Sequence, residues 1–305
     1  MNQLDSMKIF QQVVDLGSFA AAGRALNMSP ANVTRKLAAL ENHLGVRLLQ
    51  RSSRKQALTE AGDAYLLRVR SILREIEEAE TEASKQTQEL RGVIHVIATP
   101  LLASTFLSPL IAPWQARHPK VMFDLVVDPF PHHRIEEFDL SLLAFDEGFN
   151  GSLVARPLAT TEWVACASPA YLKSAGTPQT PDQLHQHAHL KFQWPQGSSH
   201  FGARIKLHPL HGGVPVEVEL LPAFETTSFE VLLSAALAGA GVAFLSRLQL
   251  DLHLQRGALV QILPDWILGR FTVYAALPSS KYIPSRTRVF LDFLTEFSAQ
   301  LPTRH

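Results

Sequence analysis

Residues 28–41, MSPANVTRKLAALE, decide how this chain is read. Ser29 is a good helix N-cap and Pro30 suits the first helical position, so a helix is predicted to start here. Val33, Leu37, Leu40 and Leu44 then recur at helical spacing and form one apolar stripe. Ala31, Asn32, Thr34, Arg35, Ala38 and Ala39 fall on or beside the opposite face. That face is small, polar and basic. Small residues let a helix approach a surface closely, and Asn and Arg side chains can pair bidentately with adenine or guanine edges in a DNA major groove. The segment reads as a DNA recognition helix; the competing reading is a solvated helix whose alanines serve propensity alone.

The flanks extend this reading. Residues 4–16 place Met7, Phe10, Val13 and Val14 near one face of a first amphipathic helix, which Gly17 stops. Ser18 caps a second, alanine-rich helix through Leu26, and Asn27 and Met28 turn the chain into the third. After Gly45 comes VRLLQRSSRKQALT, in which short apolar strands around Leu48–Leu49 and Ala57–Leu58 flank a polar tip. This hairpin would set Arg51, Arg54 and Lys55 beside the recognition helix, where cations meet phosphate, as a basic wing.

Charge distribution supports a polyanionic partner. The 305-residue chain is neutral overall, with 28 Lys and Arg against 28 Asp and Glu. Residues 1–59 nevertheless hold eight bases (Lys8, Arg24, Arg35, Lys36, Arg47, Arg51, Arg54, Lys55) and three acids (Asp5, Asp15, Glu41), an excess of five. The length suits two or three domains. No basic segment followed by an apolar run opens the chain, and the apolar stretch 231–245 is interrupted by Ser234, Gly239 and Gly241, so neither export nor a membrane span is expected. A single cysteine, Cys166, excludes an internal disulfide framework and agrees with a cytoplasmic location.

Through SFAAAGRAL, SPANVTRKLAALENHLGVRLLQR and LTEAG, in that order and spacing, the chain resembles the LysR-type transcriptional regulators. Pro30 and Asn32 stand where the family usually has a glutamine or similar polar residue and a small residue, which leaves the fold intact and the base preference open. The resemblance implies base-edge contacts from Ala31, Asn32, Thr34 and Arg35. It implies phosphate contacts from Ser18, Ser29, Lys36, Arg51, Ser53 and Arg54, while Arg47 has a structural role open to it as well.

Residues 60–89 carry Tyr65, Leu66, Val69, Ile72, Leu73, Ile76, Ala79 and Ala83 at intervals of three and four, a long helix with one apolar seam and charged flanks. Such a seam calls for a partner helix, and packing onto the C-terminal part of the same chain is the competing reading. The resemblance favours a dimer in which this linker helix pairs antiparallel with its twin and spaces two recognition helices over a two-fold site. A homodimer or homotetramer is therefore expected, with Tyr65, Leu66, Val69, Ile72, Leu73 and Ile76 as dimerisation residues.

From Val93 onward, short β-branched or apolar runs alternate with helical stretches, the pattern of α/β layers. Strands are predicted at 93–98, 121–127, 140–144, 163–167, 214–220, 242–245 and 271–277, and helices at 103–117, 169–175, 228–238 and 284–301. HPKV, ASPAYLKSAGTP and AGAGVAFL carry the family resemblance through this region. It implies a two-lobed effector module like a periplasmic binding protein, with lobe I at 92–161 and 268–305 and lobe II at 162–267. The stretch 196–213 departs from the family most, and its conformation stays open.

In a module of this kind a ligand lies between the lobes, near strand C-termini and a helix N-terminus whose free N–H groups welcome a carboxylate. Thr99–Ala103 is that corner, with hydroxyls from Thr99 and Ser104 and N–H groups from Leu101 and Leu102. By matching positions, Asp128, Phe145, Trp163, Phe201, Thr226, Thr227 and Phe244 are the other candidates, and each aromatic has core packing as its competing role. If most of them face the cleft, the effector is an apolar or aromatic carboxylate.

Other signals fail on context. Gly239 and Gly241 lie between a preceding helix and a following strand, the reverse of the order that cradles a pyrophosphate, so packing explains them. His185, His187 and His189 alternate without a nearby cysteine, and no metal is expected. Cys166 sits in an apolar strand with no basic neighbour and reads as inert core. Asp139, Asp146 and Glu147 accompany no nucleophile motif. No catalysis and no cofactor are expected. The reading is a winged helix-turn-helix domain at 1–59, a linker helix at 60–91 and an effector module at 92–305. The partners are double-stranded DNA, a small-molecule effector, a second copy of the chain and RNA polymerase. The alternative is a small-molecule-binding or enzymatic α/β protein whose N-terminal helices mediate protein contacts.

Overall fold

In the computed structural model the described residues are 2–50, 57–83, 90–146, 154–193, 204–278 and 283–299. They fall into two compact units, residues 1–89 and residues 90–305.

The first unit is built on one apolar core. Helices α1 (Gln3–Asp15), α2 (Phe19–Ala25) and α3 (Pro30–Leu44) surround it, and α4 (Glu60–Ala83) closes it. Met7, Ile9, Phe10 and Val13 of α1 meet Ala22 of α2, Val33, Leu37 and Leu40 of α3, and Leu66, Val69 and Leu73 of α4. The local rules hold. Ser18 and Ser29 cap α2 and α3 by accepting the N–H of Ala21 and Asn32, and Gly45 ends α3 at φ 71°, a conformation that favours glycine.

Two family-like glycines have steric causes. A Cβ on Gly23 would lie 2.7 Å from the Met28 carbonyl oxygen, and one on Gly62 would lie 2.1 Å from that of Leu48. Both are contacts that only glycine permits at that spacing.

The seam of α4 is occupied in a way its periodicity does not reveal. Leu66, Val69 and Leu73 are buried against the first three helices, and the Tyr65 ring lies 5.8 Å from that of Phe10. The expectation that the whole seam waits for a partner helix is thus corrected: α1 covers these residues within the same chain. Ile72 and Leu67 remain exposed and Ile76 is half-buried.

The second unit contains a long twisted sheet. Strand β1 (Gly92–Ala98) leads into the short helix α5 (Pro100–Leu102), a one-turn π bulge over Ala103–Leu107 and helix α6 (Ser108–Arg117). Strands β2 (Val121–Val127) and β3 (Leu140–Asp146) follow and lie parallel to β1 on either side of it. Strand β4 (Ala155–Ala167) is thirteen residues long.

Beyond β4 come α7 (Pro169–Ala175), β5 (His189–Phe192), β6 (Arg204–Pro209), β7 (Val216–Glu219), β8 (Pro222–Thr226) and α8 (Phe229–Leu237). The chain then forms β9 (Val242–Ser246), α9 (Arg247–Gln255), β10 (Val260–Gln261), β11 (Trp266–Ile267), β12 (Gly269–Ala276) and α10 (Ser285–Ser298). Among the described residues the main sheet runs β2-β1-β3-β12-β4-β9-β5-β8, with β10 on β4, and β11-β6-β7 form a small second sheet.

Strands β4 and β12 carry the sheet from one lobe to the other. They pair with each other from Gly269–Trp163 to Ala276–Ala155; β12 also pairs with β3, and the far half of β4 pairs with β9. The expected lobe boundary at 161/162 therefore falls inside an unbroken strand. Lobe I packs α6 and α10 on its sheet through Trp114, whose ring lies 4.9 Å from Phe290 and 5.3 Å from Phe293. Lobe II has a separate core of Val164, Cys166, Leu190, Leu232, Leu245 and Leu250.

Candidate nucleic-acid interface and effector cleft

Several polar groups at the start of α3 have local partners. The Ser29 hydroxyl accepts the Asn32 N–H at 3.3 Å, and the Thr34 hydroxyl donates to the Pro30 carbonyl at 2.9 Å. Arg35 Nη2 donates to Asn32 Oδ1 at 3.0 Å. Ala31, Thr34 and Arg35 are exposed and Asn32 is half-exposed, while Val33, Leu37 and Leu40 on the other side are buried. The helix thus presents a contiguous polar face to solvent. Lys36 lies at its edge, 3.9 Å from Asp5.

The base of the wing is a short antiparallel ladder. Leu49 bridges to Leu58, and the Gln50 N–H donates to the Ala57 carbonyl at 2.8 Å. The tip, with Arg51, Ser53 and Arg54, lies outside the described residues.

Two residues that sequence reasoning passed over hold this ladder in place. Glu41, buried on α3, accepts the N–H groups of Leu48 at 2.8 Å and Leu49 at 3.2 Å and pairs with Arg47 at 2.7 Å. This gives Arg47 a structural partner. Thr59 donates to the Arg47 carbonyl at 2.6 Å and accepts the Gly62 N–H at 2.9 Å, which places it at the start of α4. A threonine directly ahead of the acidic and apolar run of α4 is the signal that identifies such a cap.

In the second unit, Thr99, Asp128, Phe145 and Thr226 lie at or near the C-terminal ends of strands, while Trp163 and Phe244 lie within theirs. Thr99 follows β1 and caps α5, accepting the Leu102 N–H at 3.4 Å. Asp128 follows β2, and its N–H donates to the Ala98 carbonyl at 3.0 Å, so Thr99 and Asp128 share one edge. Phe145 lies near the end of β3, which runs parallel to β1. Across the shared strand β4, Trp163 sits opposite Ser246 of β9, and Thr226 ends β8.

Several of these side chains do structural tasks. Leu101 and Leu102 are buried in the lobe I core, and Phe244 is buried with its ring 5.9 Å from His189. Trp163 is buried between Phe229 at 4.9 Å and Phe271 at 4.8 Å, and Phe229 stacks in turn on Phe192 at 3.7 Å. For Trp163 and Phe244 the cleft-lining expectation gives way to the competing role of core packing, because neighbouring rings occupy their faces; Leu101 and Leu102 were expected to offer N–H groups, and that of Leu102 is taken by Thr99. Asp128 accepts the Phe130 N–H and pairs with Arg134 at 3.4 Å, and Thr226 accepts the Ser228 N–H at 3.2 Å. Ser104 donates to the carbonyls of Pro100 and Leu101 in its own helical turn. Thr227 is exposed, Thr99 and Phe145 are half-buried, and Phe201 lies outside the described residues.

The other flagged groups also resolve. A Cβ on Gly241 would lie 2.4 Å from the Ala188 carbonyl oxygen, so this glycine lets β9 pack closely on the segment before β5, while Gly239 takes φ 83°, a conformation that favours glycine, just after α8. His187 faces the Tyr171 hydroxyl, His185 contacts the Asp182 carbonyl, and His189 is buried in β5. The three rings are held apart by separate partners. Burial pushes the Cys166 thiol up to about 12, which suppresses the reactive thiolate. Glu162, buried on β4, receives Arg247 at 3.2 Å and Arg270 at 3.3 Å, linking α9 and β12 to the shared strand.

A winged helix-turn-helix unit joined to a two-lobed α/β unit defines a DNA-binding regulator with an effector-binding domain. The comparisons agree: residues 4–63 match the model of the bacterial regulatory helix-turn-helix protein, lysR family, and residues 87–299 match the LysR substrate binding domain. The chain belongs to the LysR family of bacterial transcriptional regulators, a family of regulators rather than enzymes.

It is 34% identical to the HTH-type transcriptional regulator CrgA of Neisseria meningitidis over 294 residues, 96% of each chain. The solved CrgA structure covers 96% of this chain and 98% of its own with a TM-score of 0.60. The full-length Vibrio cholerae virulence activator AphB is 26% identical, with 96% and 98% of the two chains covered and a TM-score of 0.60. An HTH-type transcriptional repressor of Pseudomonas aeruginosa is 29% identical over 302 residues, 99% of this chain and 94% of its own. No helix among the described residues is long and apolar enough to cross a membrane.

Proposed function

We propose that the exposed face of α3, with Ala31, Asn32, Thr34 and Arg35, meets base edges in the major groove, and that Ser18, Ser29, Lys36, Arg51, Ser53 and Arg54 hold phosphates. The observation that carries this reading is the division of α3 into a buried apolar stripe and an exposed polar face at its N-terminal end. A recognition helix uses its N-terminal residues in this way. Ion pairing of Lys36 with Asp5 at 3.9 Å is a weak surface interaction and leaves the ammonium available to a phosphate.

The chain works as a homodimer or homotetramer in the cytoplasm, its copies joined through the part of α4 that its own chain leaves open, Ile72 and Ile76 with Leu67. The effector lies between lobe I (92–161 and 268–305) and lobe II (162–267), near the Thr99 cap and Thr227. Its class is an apolar or aromatic carboxylate, its carboxylate suited to the helix start at Thr99. Ligand shifts the population between lobe arrangements and so moves paired recognition helices relative to their half-sites, altering contact with RNA polymerase.

The test is binding of the purified chain to its own promoter. Arg35→Glu and Arg54→Glu are expected to abolish it, and each phosphate contact contributes about 0.9 to the log–log salt slope. Binding unchanged by both reversals would favour a protein-interaction role for the N-terminal helices. A calorimetric screen in which only sugars or cations bound would overturn the carboxylate assignment.

A further inference from the structure

Asn32 and Arg35 are not two independent readers. They stand three residues apart on α3, a spacing that places side chains together on one helix face, and their terminal groups meet at 3.0 Å. The direction of this bond is fixed by chemistry: arginine has only donors, so the Asn32 amide must turn its oxygen toward Nη2. The Asn32 backbone N–H is committed too, donating to the Ser29 hydroxyl at 3.3 Å.

An asparagine that reads adenine aims Oδ1 and Nδ2 at a single base edge, accepting from N6 and donating to N7. With one Oδ1 lone pair already given to Arg35, an adenine would have to share that oxygen with the guanidinium. Arg35 has no such conflict. Its guanidinium carries five donors in a rigid fork, and one N–H held by Asn32 leaves an edge free for the O6 and N7 acceptors of guanine. An exposed arginine loses considerable rotamer freedom when it docks, and an orienting partner removes part of that loss beforehand.

We infer that Asn32 is a positioning residue that holds Arg35 for bidentate recognition of a guanine, and that this pair reads one base pair per half-site instead of two. The inference rests on the reading of α3 as the base-contacting helix and refines it, assigning the base to Arg35 and giving Asn32 a positioning role in place of its own base contact.

The experiment selects binding sites from a pool of randomised duplex DNA with the full-length protein, then measures affinity for single-base variants of the selected duplex. The wild-type chain is expected to select a guanine at one position of each half-site and to prefer it roughly tenfold to a hundredfold. Arg35→Ala should flatten that position. Asn32→Ala should flatten the same position by about tenfold while other positions keep their preference. Asn32→Asp, which retains the acceptor, should keep guanine.

Loss of preference at a separate adenine in Asn32→Ala would overturn the inference while leaving α3 as the reading helix. So would equal weakening on all sequences by Arg35→Ala, which would make Arg35 a phosphate contact. Failure of the wild-type chain to select any sequence would remove the underlying reading as well. Unchanged thermal midpoints of the variants separate these results from misfolding.

Discussion

Glu41 Oε2 lies 2.7 Å from Arg47 Nη1 while Oε1 of the same carboxylate takes the N–H of Leu48, so the last part of the recognition helix is fastened to the root of the wing. Burial acts to raise the pKa of this carboxyl. The Leu48 N–H, the Arg47 guanidinium and the Leu49 N–H outweigh it and hold the group below its ordinary value of 4.5. Glu41→Ala leaves two strand N–H groups without their acceptor and should cost about 2–3 kcal/mol in denaturant unfolding. A depressed folded-state pKa means that the stabilisation is complete above the unfolded value and is lost as pH falls through the folded one. The wild-type chain should therefore lose stability in acid that Glu41→Ala has already lost, and coincident pH profiles would contradict this role.

Gly62 allows α4 to start directly against the Leu48 carbonyl. Gly62→Ala puts a methyl group 2.1 Å from that oxygen, and backbone must move to accommodate it. The expected outcome is a loss of about 1–3 kcal/mol together with weakened DNA binding, because the displaced strand also carries the wing. Calorimetry and a promoter-binding titration on the same variant check both parts.

The α4 seam separates into two kinds of position. Val69 is fully buried within its own unit and Ile72 is 39% exposed. Val69→Asp should unfold the N-terminal unit, since a carboxylate would have to enter an apolar core. Ile72→Asp should leave the thermal midpoint of that unit nearly unchanged and lower the molar mass seen by light scattering. Retention of the wild-type mass would place the contact between copies elsewhere.

His189 gives the effector module a second acid sensitivity. Burial drives its pKa from 6.5 to about 4, helped by the positive charge of Lys191 and opposed by Glu225. The folded state holds the ring neutral while the unfolded chain protonates it, so its contribution is complete above about 6.5 and falls away as pH drops toward 4. His189→Met, of similar volume and without a titrating group, should flatten the stability profile across that window. Urea titrations at pH 7 and pH 5 measure the difference.

Legibility in the sequence followed the range of the interactions involved. The helix-turn-helix was readable because each step is local: Ser18 and Ser29 cap the residues three places on, Gly45 takes a positive φ, and the apolar stripe of α3 repeats within fifteen residues. The strand and helix alternation of the second unit was readable for the same reason. Where period and context conflict, the sequence misleads. Residues 247–255, RLQLDLHLQ, place leucine at every second position as a strand would, yet form α9 under the Ser246 cap. Strands β5, β6 and β8 were passed over because their pattern is short or polar, and they form because neighbouring strands supply their hydrogen bonds.

By itself the sequence determined the class of protein and the exposed polar face of α3, because caps, helical period and charge segregation act over a few residues. Only tertiary structure decided that α1 covers Leu66, Val69 and Leu73, that Trp163 and Phe244 are core, and that Glu162 joins Arg247 and Arg270 across separations of 85 and 108 residues. It also decided that Glu41, one of three acids in a basic domain, holds the wing. Such pairings depend on which distant segments the packed chain brings within hydrogen-bond reach, and no local pattern encodes that distance.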